Sequence, residues 1–255
     1  MARVLVTGAS KGIGRAIARE LAARGHEVVA TARDAATLAD LPVHTRLALD
    51  VTDQASVDQA VAAAGELDAL VSNAGDTVRG PAESIPLAEV ERLFQLNALG
   101  ALRVAQAVLP GMRARGGGRL LFVSSVMGRV ALPLNGAYGA SKWALEALAE
   151  TLAIETSHFG VSVTLLEPGV VDSGAQERAR TLISEDDPYY PLAAQVGAAR
   201  GPAISVEEVA VAVADTLELE HPPLRVPVGA PAEKLLAAHS EASRDVPFLL
   251  APLDW

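Results

Sequence analysis

Two kinds of run alternate along the chain. Short, nearly unbroken apolar stretches recur at Val4-Leu5-Val6 and at residues 27–31, 43–49, 67–71, 119–123, 161–166 and 224–228. Stretches that short, apolar on both faces, predict strands of a buried parallel sheet. Between them lie longer stretches with apolar residues three and four apart, which predict helices after Gly14 and over 53–64, 87–115, 138–159 and 206–218. The boundaries carry matching signals. Gly25 suits the residue after a helix end, Asp34, Thr52 or Asp53 and Ser205 suit helix caps, and Gly116-Gly117-Gly118 breaks the long helical stretch. Asn97 falls in the middle of that stretch, where the plainest expectation is a solvent-facing side chain. Strand–helix alternation throughout predicts an α/β fold, a doubly wound parallel sheet with helices on both faces. With 255 residues and no repeat, linker or low-complexity block, a single domain 1–255 is expected. The segment at about 170–204 reads as irregular and rich in Pro, Gly and acidic residues. A long loop at the ligand end of such a sheet predicts a substrate lid.

Composition narrows the partners. The formal net charge of −10 argues against nucleic acid or an anionic membrane as a partner. There is no cysteine, which excludes disulfides and thiolate chemistry, and the five histidines are scattered, so no metal site is expected. No apolar run reaches the ~18 residues of a membrane span. A strand so near Met1 leaves no room for a signal peptide, and a cytoplasmic location is the expectation.

The chemistry centres on Tyr138-Gly139-Ala140-Ser141-Lys142. A four-residue spacing on a helix puts Tyr138 and Lys142 on one face. A tyrosine is a poor acid or base near neutrality, and a neighbouring ammonium is expected to favour its phenolate and lower its pKa by roughly 1–3 units. The first strand runs into Thr7-Gly8-Ala9-Ser10-Lys11-Gly12-Ile13-Gly14 and then a helix. Glycines there allow a tight turn and close backbone approach to a pyrophosphate, which the helix N-terminus attracts. This predicts a Rossmann-like dinucleotide site. At the end of the second strand the chain offers Ala32 and Arg33, where an acidic residue would hold a ribose 2′-hydroxyl. With Lys11, Arg33 supplies two cations suited to a 2′-phosphate, so NADP is expected over NAD. Ser124-Ser125 stand at the end of the fifth strand, where such sheets place ligands.

Together these stretches resemble the short-chain dehydrogenases/reductases over nearly the whole chain. The Gly8 to Gly14 turn looks like that family's cofactor turn, and Asp50-Val51 resembles its adenine-contacting pair. Ser72-Asn73-Ala74-Gly75 is similar to its N-N-A-G motif, with Ser72 departing from the first Asn. Asn97, Ser125, Tyr138 and Lys142 match its catalytic tetrad in order. Pro168-Gly169-Val170-Val171-Asp172-Ser173 resembles the segment around the nicotinamide. Glu167-Pro168-Gly169 and the terminal Leu253-Asp254-Trp255 look like 17β-hydroxysteroid- and retinol-dehydrogenase-like members. The resemblance implies hydride transfer between NADP(H) and a carbonyl or secondary alcohol. In it, Ser125 bonds the substrate oxygen, Tyr138 moves the proton, Lys142 also holds the nicotinamide ribose, and Asn97 binds a relay water. It also implies a homo-oligomer paired through residues 87–115 and 138–159. The cofactor contacts carried over are Gly8, Ser10, Lys11, Gly12, Ile13, Gly14, Arg33, Asp50, Val51, Asn73, Ala74, Gly75, Tyr138, Lys142, Pro168, Gly169, Val171 and Ser173. Rival readings are a 3-oxoacyl-carrier-protein reductase, a nucleotide-sugar epimerase or dehydratase, and a non-catalytic NADP sensor. Leu182, Ile183, Tyr189 and Tyr190 in the lid favour a bulky apolar substrate.

Overall fold

The computed structural model describes residues 1–174, 179–198, 201–242 and 245–248, and in it the apolar runs become one seven-stranded sheet. In chain order the first half comprises β1 (Arg3–Val6), α1 (Gly12–Ala23), β2 (Glu27–Ala32), β3 (Thr45–Ala48) and α2 (Gln54–Ala64). β4 (Ala69–Ser72), β5 (Val78–Arg79), α3 (Leu87–Phe94), α4 (Gly100–Ala114), β6 (Gly118–Val123) and α5 (Gly136–Thr156) follow. Then come β7 (Val161–Pro168), β8 (Val171–Asp172), β9 (Arg180–Thr181), α6 (Tyr190–Ala198), β10 (Ile204–Ser205), α7 (Val206–Glu218), β11 (Arg225–Val228) and α8 (Ala230–Glu241).

The sheet runs β11-β7-β6-β4-β1-β2-β3, and every neighbouring pair is parallel. The chain builds outward from β1 through β2 and β3, then returns to the other side of β1 for β4 and the rest. That reversal opens a crevice at the C-terminal ends of β1 and β4, the place where doubly wound sheets bind ligands.

Strand periodicity decides what each face buries. Val4 and Val6 point to one side and pack with Ile17 and Leu21 of α1 and Val209, Val213 and Leu217 of α7. Leu5 points to the other and joins Val57 of α2, Val104 and Met112 of α4, and Leu145 of α5. Each such fully buried aliphatic side chain stabilises the fold by ~1.5–3 kcal/mol. Surface ion pairs, such as Arg24 on α1 with Asp215 and Glu218 on α7, contribute ~0–1 kcal/mol each, so the two apolar layers hold the fold.

Caps explain several boundaries. Asp53 accepts the N–H groups of Ala55 and Ser56 at the start of α2, and Ser205 with Glu208 forms a reciprocal capping box on α7. Asp34 caps only a short turn of 3₁₀ helix over Ala35–Leu38. Two expectations fail. The described part of 170–204 is not irregular, because β8 pairs with β10, β9 pairs with β5, and α6 lies between. Two-residue strands carry too little pattern to be read from sequence. Helix α8 also follows the last strand, where the sequence pattern predicted no helix, with its proline in the first turn, a position a helix tolerates. Residues 175–178 and 199–200 of the expected lid, and Leu253-Asp254-Trp255, lie outside the described residues.

Candidate active site

The Gly-rich turn after β1 is built from close approaches. Gly8 and Gly12 have φ of +69° and +56°, values that favour glycine. A Cβ on Gly14 would fall 2.3 Å from Asn73 Nδ2 and 2.4 Å from the Gly8 carbonyl, so only glycine fits there. Asn73 fastens the turn by donating Nδ2 to the carbonyls of Thr7 (3.0 Å) and Gly8 (3.3 Å). The Thr7 hydroxyl accepts the N–H groups of Asn73 and Ala74, each at 3.0 Å. Thr7 is thus a fastening residue that the list of cofactor contacts omits. Helix α1 begins at Gly12 with no side chain capping it, leaving its first N–H groups directed at the crevice. Across from it, the Ser173 carbonyl lies 3.4 Å from where a Gly12 Cβ would be. An uncapped helix N-terminus behind glycines that bar side chains fits a pyrophosphate. Ser10 accepts from Arg15, and Ile13 and Val171 are anchored in the core beneath the turn.

Lys11 and Arg33 are both exposed, and neither has a hydrogen-bond or ion-pair partner among the described residues. Asp50 accepts from the Thr52 hydroxyl at 2.7 Å and the Thr52 N–H at 2.9 Å. Those bonds, and more weakly the Arg33 and Arg103 guanidinium groups, hold its carboxyl below the usual range. Val51 is buried against Gly100, whose added Cβ would lie 2.7 Å from Val51 Cγ2, and its carbonyl accepts Arg103 at 2.5 Å.

Three catalytic candidates meet at the C-terminal ends of β6 and β7. Ser125 leaves β6 in extended backbone, accepts the Met127 N–H at 3.2 Å, and lies 3.5 Å from the Pro168 carbonyl. Its hydroxyl also hydrogen-bonds the Tyr138 phenol. Lys142 is 5% exposed, and its Nζ donates to the Val123 carbonyl at 2.8 Å. That ammonium sits 5.9 Å from the centre of the Tyr138 ring. The loop into α5 is held by Gly80, whose N–H reaches the Leu134 carbonyl at 2.9 Å, and Leu134 has φ +62°. Backbone in that region is uncommon for a leucine and clusters at functional sites.

The electrostatics differ from expectation. Burial pushes the Tyr138 phenol up to about 12, against the weaker lowering by Ser125. Lys142, 5.9 Å from the ring centre, does not offset this. Lys142 itself is lowered to about 8 by burial, opposed by Glu146. Tyr138 therefore stands ready as an acid, not as a phenolate.

Asn97 also departs from expectation. It is 1% exposed, in a turn of π-helix, Gln95–Leu99, between α3 and α4. Its Oδ1 accepts the Asp76 N–H at 2.9 Å, while Nδ2 donates to the Asp76 carbonyl at 3.0 Å and to Ser141 Oγ at 2.9 Å. Both amide hydrogens are thus committed to protein partners. Ser141 passes the link to the Tyr138 carbonyl at 2.7 Å. Gly75 passes close by, since its added Cβ would lie 3.1 Å from Asn97 Oδ1. An asparagine in mid-helix looked like a surface residue because the sequence does not announce the extra residue of a π turn.

The segment expected to form a lid is tied down at several points. The Leu182 N–H reaches the Arg79 carbonyl at 2.8 Å, and Leu182 packs in one cluster with Val78, Ile85, Leu93 and Tyr138. Arg180 pairs with Glu89 at 2.5 Å, and Tyr189 donates its hydroxyl to Glu83. Tyr190 is exposed at the start of α6. A cleft of about 980 Å³ lies at the opposite, N-terminal edge of the sheet near Asp68, Arg119 and Leu224, away from all this chemistry. Among the described residues no group of acidic or histidine side chains could hold a metal, and no helix is long and apolar enough to cross a membrane.

Comparison with known proteins agrees with the geometry. Residues 2–182 match the family model described as short chain dehydrogenase. Human retinol dehydrogenase 8 is 40% identical over 181 residues, 66% of this chain. The matched part spans only 58% of that relative's length. Human 17-beta-hydroxysteroid dehydrogenase type 1 is 38% identical over 248 residues, 87% of this chain and 76% of the relative. A solved short-chain dehydrogenase from Burkholderia cenocepacia, in complex with NADP, superposes with a TM-score of 0.80 at 26% identity, covering 94% of this chain and 93% of its own. With sheet order, glycine turn and the Ser125–Tyr138–Lys142 cluster all in place, and the family model covering most of its length, this chain belongs to the short-chain dehydrogenase family.

Proposed function

We propose that the protein is an NADP(H)-dependent oxidoreductase that interconverts a carbonyl compound and a secondary alcohol. The observation that carries this reading is the convergence of Ser125, Tyr138 and buried Lys142 beside a crevice whose glycine turn and uncapped helix end suit a dinucleotide. The turn of Gly8, Ser10, Lys11, Gly12, Ile13 and Gly14 would cradle the pyrophosphate. Asp50 and Val51 would border the adenine, Asn73 to Gly75 the ribose, and Pro168, Gly169, Val171 and Ser173 the nicotinamide side. The bound cofactor supplies the hydride. The chain's own part is proton transfer and orientation. Ser125 holds the carbonyl oxygen against Tyr138, and Tyr138 gives that oxygen its proton. Lys142 places positive charge where the phenolate forms. Asn97 and Ser141 fix the backbone that carries Tyr138.

The apolar cluster of Leu182, Ile85, Leu93 and Tyr138 under the lid favours a bulky apolar ketone. The names of the retinol and steroid dehydrogenase relatives point the same way. The reading is tested by following NADPH consumption with a panel of ketones from small polar to bulky apolar. Preference for the bulky apolar members supports it, and activity confined to carrier-bound oxoacyl groups would replace it with the acyl-chain reductase reading.

The acid form of Tyr138 gives this reaction a pH signature. Carbonyl reduction needs the phenol, which persists to about 12, so the reduction rate should not fall until Lys142 begins to lose its proton near about 8. Alcohol oxidation needs the phenolate. Its kcat/KM should climb about tenfold per pH unit in the neutral range, because the phenolate fraction does so well below the pKa. Steady-state rates in both directions from pH 6 to 9, roughly the span over which histidine and a lowered lysine titrate, check this. Parallel profiles in the two directions would contradict it.

We also propose a homo-oligomer. Leu99 before α4 and Trp143 and Ile154 on α5 are 39%, 50% and 72% exposed, a spread of large apolar side chains on two neighbouring helices. Self-pairing across a two-fold axis would cover them. Light scattering is expected to give a multiple of 26.3 kDa, and a monomer at micromolar protein would contradict the pairing.

A further inference from the structure

Glu146 follows Lys142 by one helical turn, so α5 carries a phenol, an amine and a carboxyl in line on one face. Glu146 is buried, and its Oε2 accepts Arg225 Nε from β11 at 2.9 Å. Arg225 reaches Glu150 on the exposed side at 2.6 Å. Behind this pair Glu167 of β7 is 0% exposed, with Arg129 at 3.3 Å and Arg225 at 3.7 Å. The charges facing Glu146 are therefore Lys142 and Glu150 from α5, Arg225 from β11, Glu167 from β7, and Arg129 from the loop after β6.

Three buried side-chain oxygens among the described residues have no hydrogen-bond partner: Ser124 Oγ, Glu146 Oε1 and Glu167 Oε2. All three belong to this cluster. Gly128 makes room for it, since a Cβ there would lie 2.8 Å from Glu146 Cγ and 2.9 Å from Ser124 Oγ. A buried charge network with open lone pairs is no more stable than apolar packing of the same volume, so stability does not account for it. Its place under the catalytic lysine does. Burial of Lys142 favours the neutral amine, and Glu146 is the carboxylate that opposes this.

We propose that Glu146, clamped by Arg225, is a positioning residue that keeps Lys142 charged beneath Tyr138. The kinetic consequence rests on the oxidoreductase reading above; the charge assignment does not. The chain has three lysines, Lys11, Lys142 and Lys234, so each can be followed by NMR of ¹³C-labelled lysine Cε. In the full-length protein, Glu146→Gln should lower the Lys142 titration midpoint by about one pH unit, the low end for loss of a nearby opposite charge. Glu146→Asp, which keeps the charge, should stay near the wild-type midpoint. Glu146→Met, apolar and of like length, carries the same expectation as the Gln change and supplies the reading if that variant does not fold. An unchanged midpoint in the neutral variants, or an Asp variant that behaves like them, overturns the proposal. The alkaline limb of ketone reduction should move down with the midpoint. Wild-type protein that turns over no ketone would remove the oxidoreductase reading, and the titration would still decide the role of Glu146.

Discussion

Tyr138→Phe is expected to lower turnover by ~10²–10⁴-fold, the range that a positioned acid/base contributes, while the protein still folds and binds NADPH. The substitution removes only the hydroxyl. The ring stays in its cluster with Val78, Leu93 and Leu182, so that packing is retained. What is lost is the group that hydrogen-bonds Ser125 and that burial keeps protonated at neutral pH. The comparison is kcat with a ketone and NADPH for both proteins, with NADPH binding measured by fluorescence titration. Near wild-type turnover would move the proton donor to another group.

Arg33→Asp is expected to lower the advantage of NADPH over NADH by roughly 10²-fold, since a charge-assisted hydrogen bond is worth ~1.5–3 kcal/mol and a new carboxylate adds repulsion. The structure redirects this test. Ala32, the residue at the strand end, is buried in the core, so a carboxylate introduced there would disturb packing as well as binding. Arg33 is exposed and can change sign without cost to the fold. Asp50, which Arg33 already helps to keep ionised, tempers the effect, and Lys11 remains as the second cation. Values of kcat/KM for both coenzymes in both proteins measure it. Equal use of NADH and NADPH by the unmodified protein would contradict the coenzyme assignment.

Much of the sheet was legible because buried parallel strands are apolar on both faces. Val4-Leu5-Val6 and Leu120 to Val123 announce themselves, whereas the two-residue β5, β8, β9 and β10 do not. The proximity of the two candidate residues was legible because Tyr138 and Lys142 lie on one helix at a spacing that forces them together. Their electrostatics were not. A four-residue spacing says that two groups are close, but only the depth of the pocket says that burial outweighs the lysine and moves Tyr138 up. Asn97 was expected to face solvent and is buried instead, since its burial depends on a π turn that no residue pattern marks. Thr7, Ser141 and Glu146 were missed because their contacts are hydrogen bonds and charges brought together by the fold. For Glu146 a signal was present in the continued four-residue step after Lys142.

The central claim is hydride transfer from the nicotinamide to a carbonyl carbon. It is tested most directly with NADPH deuterated at the transferring C4 position and a bulky apolar ketone, with mass spectrometry of the product. The account predicts an alcohol carrying deuterium on the carbinol carbon, formed by wild-type protein and far more slowly by Tyr138→Phe. NADPH that binds but yields no deuterated alcohol with any ketone would contradict it.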